Sequence, residues 1–155
     1  MINRYSSRRN NLNETYLNEK LKNAVSYDRI AGYFCSSILE IAGESIENLS
    51  GKARLICNSN LKSEDVKTAS YANLKMKQEW GEFTPEEKYT SEAATIRLKK
   101  LYNLLTSQKL EIKVIPDEIY GLMHGKAGVI TYEDGSKISF LGSINETKSA
   151  YALNY

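Results

Sequence analysis

Histidine occurs once in this sequence, cysteine twice, and apolar stretches long enough to cross a bilayer not at all. Each scarcity removes a class of function. Cys35 and Cys57 show no Cys-x-x-Cys spacing, which argues against a zinc site or a disulfide framework and leaves both as reduced core or strand residues. No apolar run approaches the ~20 residues of a membrane span. The polar start from Met1 to Asn13 is not a secretory signal, so a cytoplasmic protein with no membrane partner is expected. No repeat or low-complexity linker divides the 155 residues, a length that suits one domain. Such a domain hides roughly 70% of its unfolded surface. A net charge of +2 neither demands nor excludes nucleic acid; a local basic groove would have to do such binding.

What is present reads as helices alternating with strands. A polar lead-in holding Arg4, Arg8 and Arg9 precedes Asn13, the expected cap of a helix in which Tyr16, Leu17, Leu21, Ala24 and Val25 recur at helical spacing. Arg29 to Cys35 is short, aromatic and apolar, the expected first strand. Ser36 and Ser37 can cap a second helix, whose apolar face of Ile38, Leu39, Ile41, Ala42, Ile46 and Leu49 ends at Gly51. Lys52 to Cys57 reads as a strand and Asn58-Ser59-Asn60 as a turn. From Ser63 to Gln108 there is no β signal. Ser63-Glu64-Asp65 opens a helix carrying Val66, Ala69, Tyr71, Leu74 and Met76, with an interruption at Gly81 near Trp80. Pro85-Glu86-Glu87 starts another, with Ile96, Leu98, Leu101, Leu104 and Leu105 on its buried side. Leu110, Ile112 and Val114 give a third strand, and Thr147 to Leu153 a final short helix. Strands separated by helices and followed by a hairpin predict an α/β fold, a mixed sheet flanked by helices.

The chemistry concentrates between His124 and Glu146. His124 and Lys126 are expected on a strand, where alternate residues share a face, with Gly128, Val129 and Ile130 continuing the run. Glu133-Asp134-Gly135-Ser136 sets an Asp-Gly pair between two β-prone runs, a strong hairpin signal. The strand Lys137 to Leu141 then folds back and delivers Gly142, Ser143 and Asn145 to the end of the sheet that holds His124. A nucleophile beside a cation, ringed by tight backbone and short polar side chains, makes a phosphate pocket.

His-x-Lys followed, after fifteen intervening residues, by Gly-Ser-x-Asn resembles the active-site motif of the phospholipase D superfamily in the form used by its nuclease members. The resemblance implies a phospholipase D-like α/β sandwich, a phosphohistidine intermediate, and no metal or other cofactor. It assigns His124 as nucleophile, Lys126 and Asn145 as the clamp on the non-bridging oxygens, and Ser143 as a further donor. The fuller motif has an aspartate five residues after the lysine, where this sequence has Thr131. Many nuclease-type members also place a histidine-orienting glutamate about eleven residues after the asparagine, just past Tyr155. Tyr27 to Phe34 and Lys52 to Ser59 resemble the amino-terminal strands of phospholipase D-like domains fused to bacterial helicases. Within them Asn58 and Ser59 are candidates either to line the site or to cap a turn.

These features lead to the expectation of a metal-independent phosphodiesterase acting on DNA. Residues 1–155 would then be one domain, the N-terminal part of a longer polypeptide that carries a helicase domain, since the sequence stops inside an unfinished helix. The reading from a different class is a weakly active or inactive DNA-binding or docking module, and phospholipid chemistry is a third. Superfamily members use a second histidine to protonate the leaving oxygen, and this chain has none. Glu146 is a candidate acid or histidine orienter, although a carboxylate also suits the start of a helix. A homodimer with twofold symmetry would supply the missing group by bringing two copies of His124 face to face.

Overall fold

Asn13 is the first residue of the first helix and not its cap, and the preceding Leu12 makes no side-chain capping bond. In the computed structural model, which describes residues 2–6, 11–77, 92–116, 121 and 124–152, the Asn13 N–H donates to Asn11 Oδ1 at 3.2 Å. The chain then enters a π-helical stretch, Asn13–Asn18, continued by the α-helix Glu19–Leu21; the two together are α1. Asn23 stops it at φ 57°, a left-handed conformation that asparagine tolerates better than most residues. β1 (Ala24–Ile30) follows at once. Ala24 and Val25 are therefore strand residues and not helical ones, and the strand expected over Arg29 to Cys35 lies five residues earlier. After Ile30 the chain is irregular: the Ala31 N–H still donates to the Ile56 carbonyl of β2 at 2.9 Å, and Phe34 forms an isolated bridge with Glu146, outside the strands.

A 3-10 turn at Ser36–Ile38 leads into α2 (Leu39–Glu47). The two serines expected to cap it are used elsewhere: Ser36 Oγ accepts from Arg97 Nε at 3.2 Å and Ser37 Oγ from the Lys148 N–H at 3.3 Å. The Ser36 N–H itself donates to the buried Asp65 carboxylate at 2.9 Å. β2 (Ala53–Asn58), α3 (Ser63–Lys77), α4 (Glu92–Thr106) and β3 (Leu110–Ile115) come next. β4 (Ala127–Tyr132), β5 (Lys137–Leu141) and the short α5 (Lys148–Ala152) end the described chain. The Arg8 and Arg9 lead-in, the break at Trp80 and Gly81, the helix start at Pro85, the side chains of Leu74 and Met76, and Leu153 lie outside the described residues.

The five strands form one sheet in the order β3-β2-β1-β4-β5, parallel from β1 to β3 and antiparallel at β1–β4 and β4–β5. This is the mixed α/β sheet with flanking helices that the pattern predicts. Both parallel crossovers step the same way across the sheet, so right-handed connections put their helices on one face. There Tyr27, Leu55, Cys57, Leu110 and Ile130 pack with Leu17, Ile38, Ala42, Ile46, Leu98 and Leu101 in one core. The other face is solvated and carries the forked Arg54–Asp28 pair, with contacts of 2.5 and 2.7 Å.

The hairpin is built as the Asp-Gly pair implies. Gly135 sits at φ 80° after a turn closed by its own N–H on the Tyr132 carbonyl, and the Ser136 N–H is taken by Asp134 Oδ1. Farther along, Gly128 faces Phe140 across β4 and β5, where a Cβ would come within 2.3 Å of the ring. Only glycine lets Phe140 lie flat over this rung, stacked on Tyr27 with ring centroids 6.4 Å apart.

Candidate active site

The register of three strands brings the motif together. Ile30, near the carboxyl end of β1, pairs with Ile56 of β2 on one side and with Ala127 of β4 on the other. Ala127 in turn pairs with Leu141 of β5. The carboxyl ends of the parallel strands thus share one edge of the sheet with the entry to β4 and the exit from β5. In open α/β sheets this edge, where the direction of winding changes, is where ligands bind. The pairing continues one rung further, with the Gly142 N–H donating to the Lys126 carbonyl at 3.0 Å. Ser143 therefore emerges next to the segment of His124 and Gly125.

His124 and Lys126 are not strand residues as expected; β4 starts at Ala127. His124 is exposed and Lys126 half-buried, and the Lys126 ammonium folds back to donate to the His124 carbonyl at 2.9 Å. His124 lies outside the strand pairing with its side chain exposed. Ser143 is exposed and Asn145 half-buried. Asn145 Oδ1 accepts the Tyr33 N–H at 3.2 Å. With its oxygen so engaged, the amide is left to act through its NH₂ donors, the polarity a phosphate oxygen needs. Thr131, where the fuller motif has aspartate, sits four residues down β4 between Ser26 and Lys137, roughly 13 Å from the site end of the strand.

Glu146 has a place of its own. Its side chain is buried, and Oε1 accepts from Arg29 Nε at 2.6 Å, Tyr27 Oη at 2.9 Å and Tyr151 Oη at 3.0 Å. Its backbone is stitched to the β1–α2 loop, N–H to the Tyr33 carbonyl and carbonyl to the Cys35 N–H, at 3.1 and 3.0 Å. It does not start the last helix either; Thr147 Oγ1 caps α5 by accepting the Ala150 N–H at 3.2 Å. Arg29 also donates through Nη2 to the Ile144 carbonyl, and its guanidinium lies 5.0 Å from the centre of the Phe140 ring. Burial works against the charged form of Arg29, yet the adjacent Glu146 carboxylate holds its pKa above the ordinary value. Burial first, and then the same carboxylate, push the Tyr27 and Tyr151 hydroxyls well above the usual tyrosine range, so both are donors at any ordinary pH.

Arg29, Tyr27, Tyr151 and the Tyr33 backbone were not apparent as site residues from the sequence. The one available signal was a charged residue inside a β-prone run, where a cation needs a buried partner. Asn58 is buried at the carboxyl end of β2 and Ser59 is exposed beside it, with the Ser59 carbonyl accepting the Leu61 N–H of the turn at 2.9 Å. A broad depression that runs over the sheet from Arg54 and Glu111 to Phe140 also takes in Gly142, Ser143 and Ile144, and so borders the Gly-Ser-x-Asn half of the motif but not His124, Lys126 or Asn145. Among the described residues no group of three or more His, Cys, Asp or Glu is arranged to hold a metal ion, and no helix is long and apolar enough to cross a membrane.

The arrangement offers an accessible imidazole, an ammonium, a hydroxyl and an oriented amide at one sheet edge. Residues 17–155 match the family described as cardiolipin synthase, PLD-like domain. Comparison with curated proteins gives no match.

Proposed function

From the premise that the chain belongs to the phospholipase D-like family, we propose that it is a phosphodiesterase of the nuclease type, acting on DNA without a metal ion. The observation that carries this reading is the Lys126–Gly142 rung, which draws His124, Lys126, Ser143 and Asn145 to one edge. In the proposed reaction His124 attacks phosphorus, the P–N bond forms, and the P–O bond to the departing nucleoside breaks. Lys126 and the Asn145 amide stabilise the equatorial oxygens as charge builds there. The departing oxygen takes a proton, and water then cleaves the phosphohistidine to regenerate the imidazole. With the Glu146 carboxylate held by three donors and buried, the acid is assigned to the partner's His124 in a twofold homodimer. A helicase domain in the same natural polypeptide would supply the DNA strand.

The test is incubation of single- and double-stranded DNA with the protein in excess chelator. His124-dependent cleavage is expected; strict dependence on an added divalent metal would sink the proposal. A second reading, a DNA-docking module that keeps the fold, is favoured by the Lys126 ammonium resting on the His124 carbonyl. DNA binding without cleavage, unchanged in His124→Ala, would select it. Phospholipid chemistry would show instead as turnover of anionic phospholipid vesicles.

A further inference from the structure

Arg29 reaches the motif on both sides of Asn145. Its Nη2 holds the carbonyl of residue 144 and its Nε the carboxylate of residue 146, so the two neighbours of Asn145 hang from one planar guanidinium. Tyr27 and Tyr151 donate to the same Glu146 oxygen, and the Glu146 main chain pairs with the loop whose Tyr33 N–H fixes the Asn145 amide. A buried ion pair is a weak source of stability, because desolvation offsets much of the attraction. What this pair can supply is register. A guanidinium fork accepts only one relative placement of its two acceptors, which a lysine ammonium does not impose.

We infer that Arg29 and Glu146 are positioning residues, which fix residues 144–146 on the carboxyl end of β1 and thereby aim the Asn145 amide at the phosphate. The inference rests on the phosphodiesterase reading of the site, and it excludes Glu146 as the proton donor. Neither residue touches the substrate. Their effect passes through the Ile144 carbonyl and the Tyr33–Asn145 contact. A misplacement of ~1 Å at such a clamp costs on the order of 100-fold in rate.

Three variants test it. Arg29→Lys keeps the charge and loses the fork. Glu146→Gln keeps an acceptor and loses the carboxylate. The double variant Arg29→Met/Glu146→Met removes both charges at similar volume and so guards against a simple folding failure. Each is assayed on DNA and on bis(4-nitrophenyl) phosphate, whose aryl oxide leaves without an acid, and each is titrated with inorganic phosphate while the Ser143 and Asn145 amide signals are followed by NMR. Positioning predicts that kcat falls about 10- to 100-fold on both substrates alike. The pH profile keeps its shape, and more phosphate is needed to move the Asn145 signal. A loss confined to DNA would make Glu146 the leaving-group acid and overturn the inference. Wild-type kcat in the folded double variant would overturn it as well. A wild type that binds phosphate but cleaves neither substrate would remove the hydrolytic reading, leaving the phosphate titration to decide positioning. A wild type that neither binds nor cleaves would remove both.

Discussion

Gly142 donates its backbone N–H to the Lys126 carbonyl at 3.0 Å, one rung beyond the last strand pair, Ala127 with Leu141. That bond joins the two halves of a motif separated by fifteen residues, and the hairpin turn alone determines that they meet. A slip of one residue would turn every β5 side chain to the opposite face. Phe140 would then leave the core and Ser143 would leave the side of His124. The geometry of the candidate site is therefore tied to the packing of Phe140.

His124→Ala is expected to lower kcat on DNA by on the order of 10⁴-fold or more, the scale of losing a covalent nucleophile. Lys126→Ala and Asn145→Ala are expected to cost ~100- to 1000-fold each, as for one oxyanion donor. His124 is exposed, so its replacement should change unfolding free energy by no more than about 0.5 kcal/mol. Single-turnover kinetics and urea denaturation on the same preparations separate the two effects.

If the active site is shared by two copies, subunit mixing reports it. Wild type combined with His124→Ala, dissociated and reassociated, should give mixed dimers that lose nearly all activity. Independent sites would leave them half. A linear fall with mutant fraction, or full activity at a monomeric mass in solution, rejects the shared site.

Gly128→Ala puts a Cβ within 2.3 Å of the Phe140 ring and 3.1 Å of the Asp28 carbonyl. Overpacking of this kind costs about 1–3 kcal/mol. Because the ring is displaced toward Tyr16 and Tyr27, the variant should also lower kcat, with denaturant midpoint and rate falling together. A fully stable Gly128→Ala would contradict the packing described.

Burial pushes the Cys57 thiol from its ordinary 9.0 up to about 11. The folded state thus holds this proton more tightly than the unfolded chain, so its contribution to stability is complete below pH 9 and is lost as the pH rises toward 11. Within that window the loss is at most about 1.4 kcal/mol per pH unit. Denaturation midpoints measured from pH 8 to 11 should show a steeper decline for wild type than for Cys57→Ala. In the native protein Cys57 and the likewise buried Cys35 should react with thiol reagents only at the rate of opening.

Much of this molecule follows from short-range chemistry. Leu98, Leu101 and Leu104 recur at helical spacing and are buried in α4, and Gly135 takes the positive φ that the Asp-Gly turn asks for. The meeting of Lys126 with Gly142 follows from that turn, since a hairpin's register is set within a few residues of its loop. The candidate site was legible in the sequence for the same reason. What the tertiary structure decided lies in the pairs distant in sequence. β1 lies five residues before the expected strand because Ala24 and Val25 also fit the period of the preceding helix, and because a core position that apolar patterning assigns to an aliphatic residue is held by Arg29. Its partner, Glu146, is 117 residues away. Glu146 in turn looks like a helix-start carboxylate until Tyr27, Arg29 and Tyr151 converge on it. A local pattern records which residues prefer water, but it cannot record that a buried cation and a buried carboxylate compensate each other. That compensation exists only once the sheet has brought β1 beside the exit from β5.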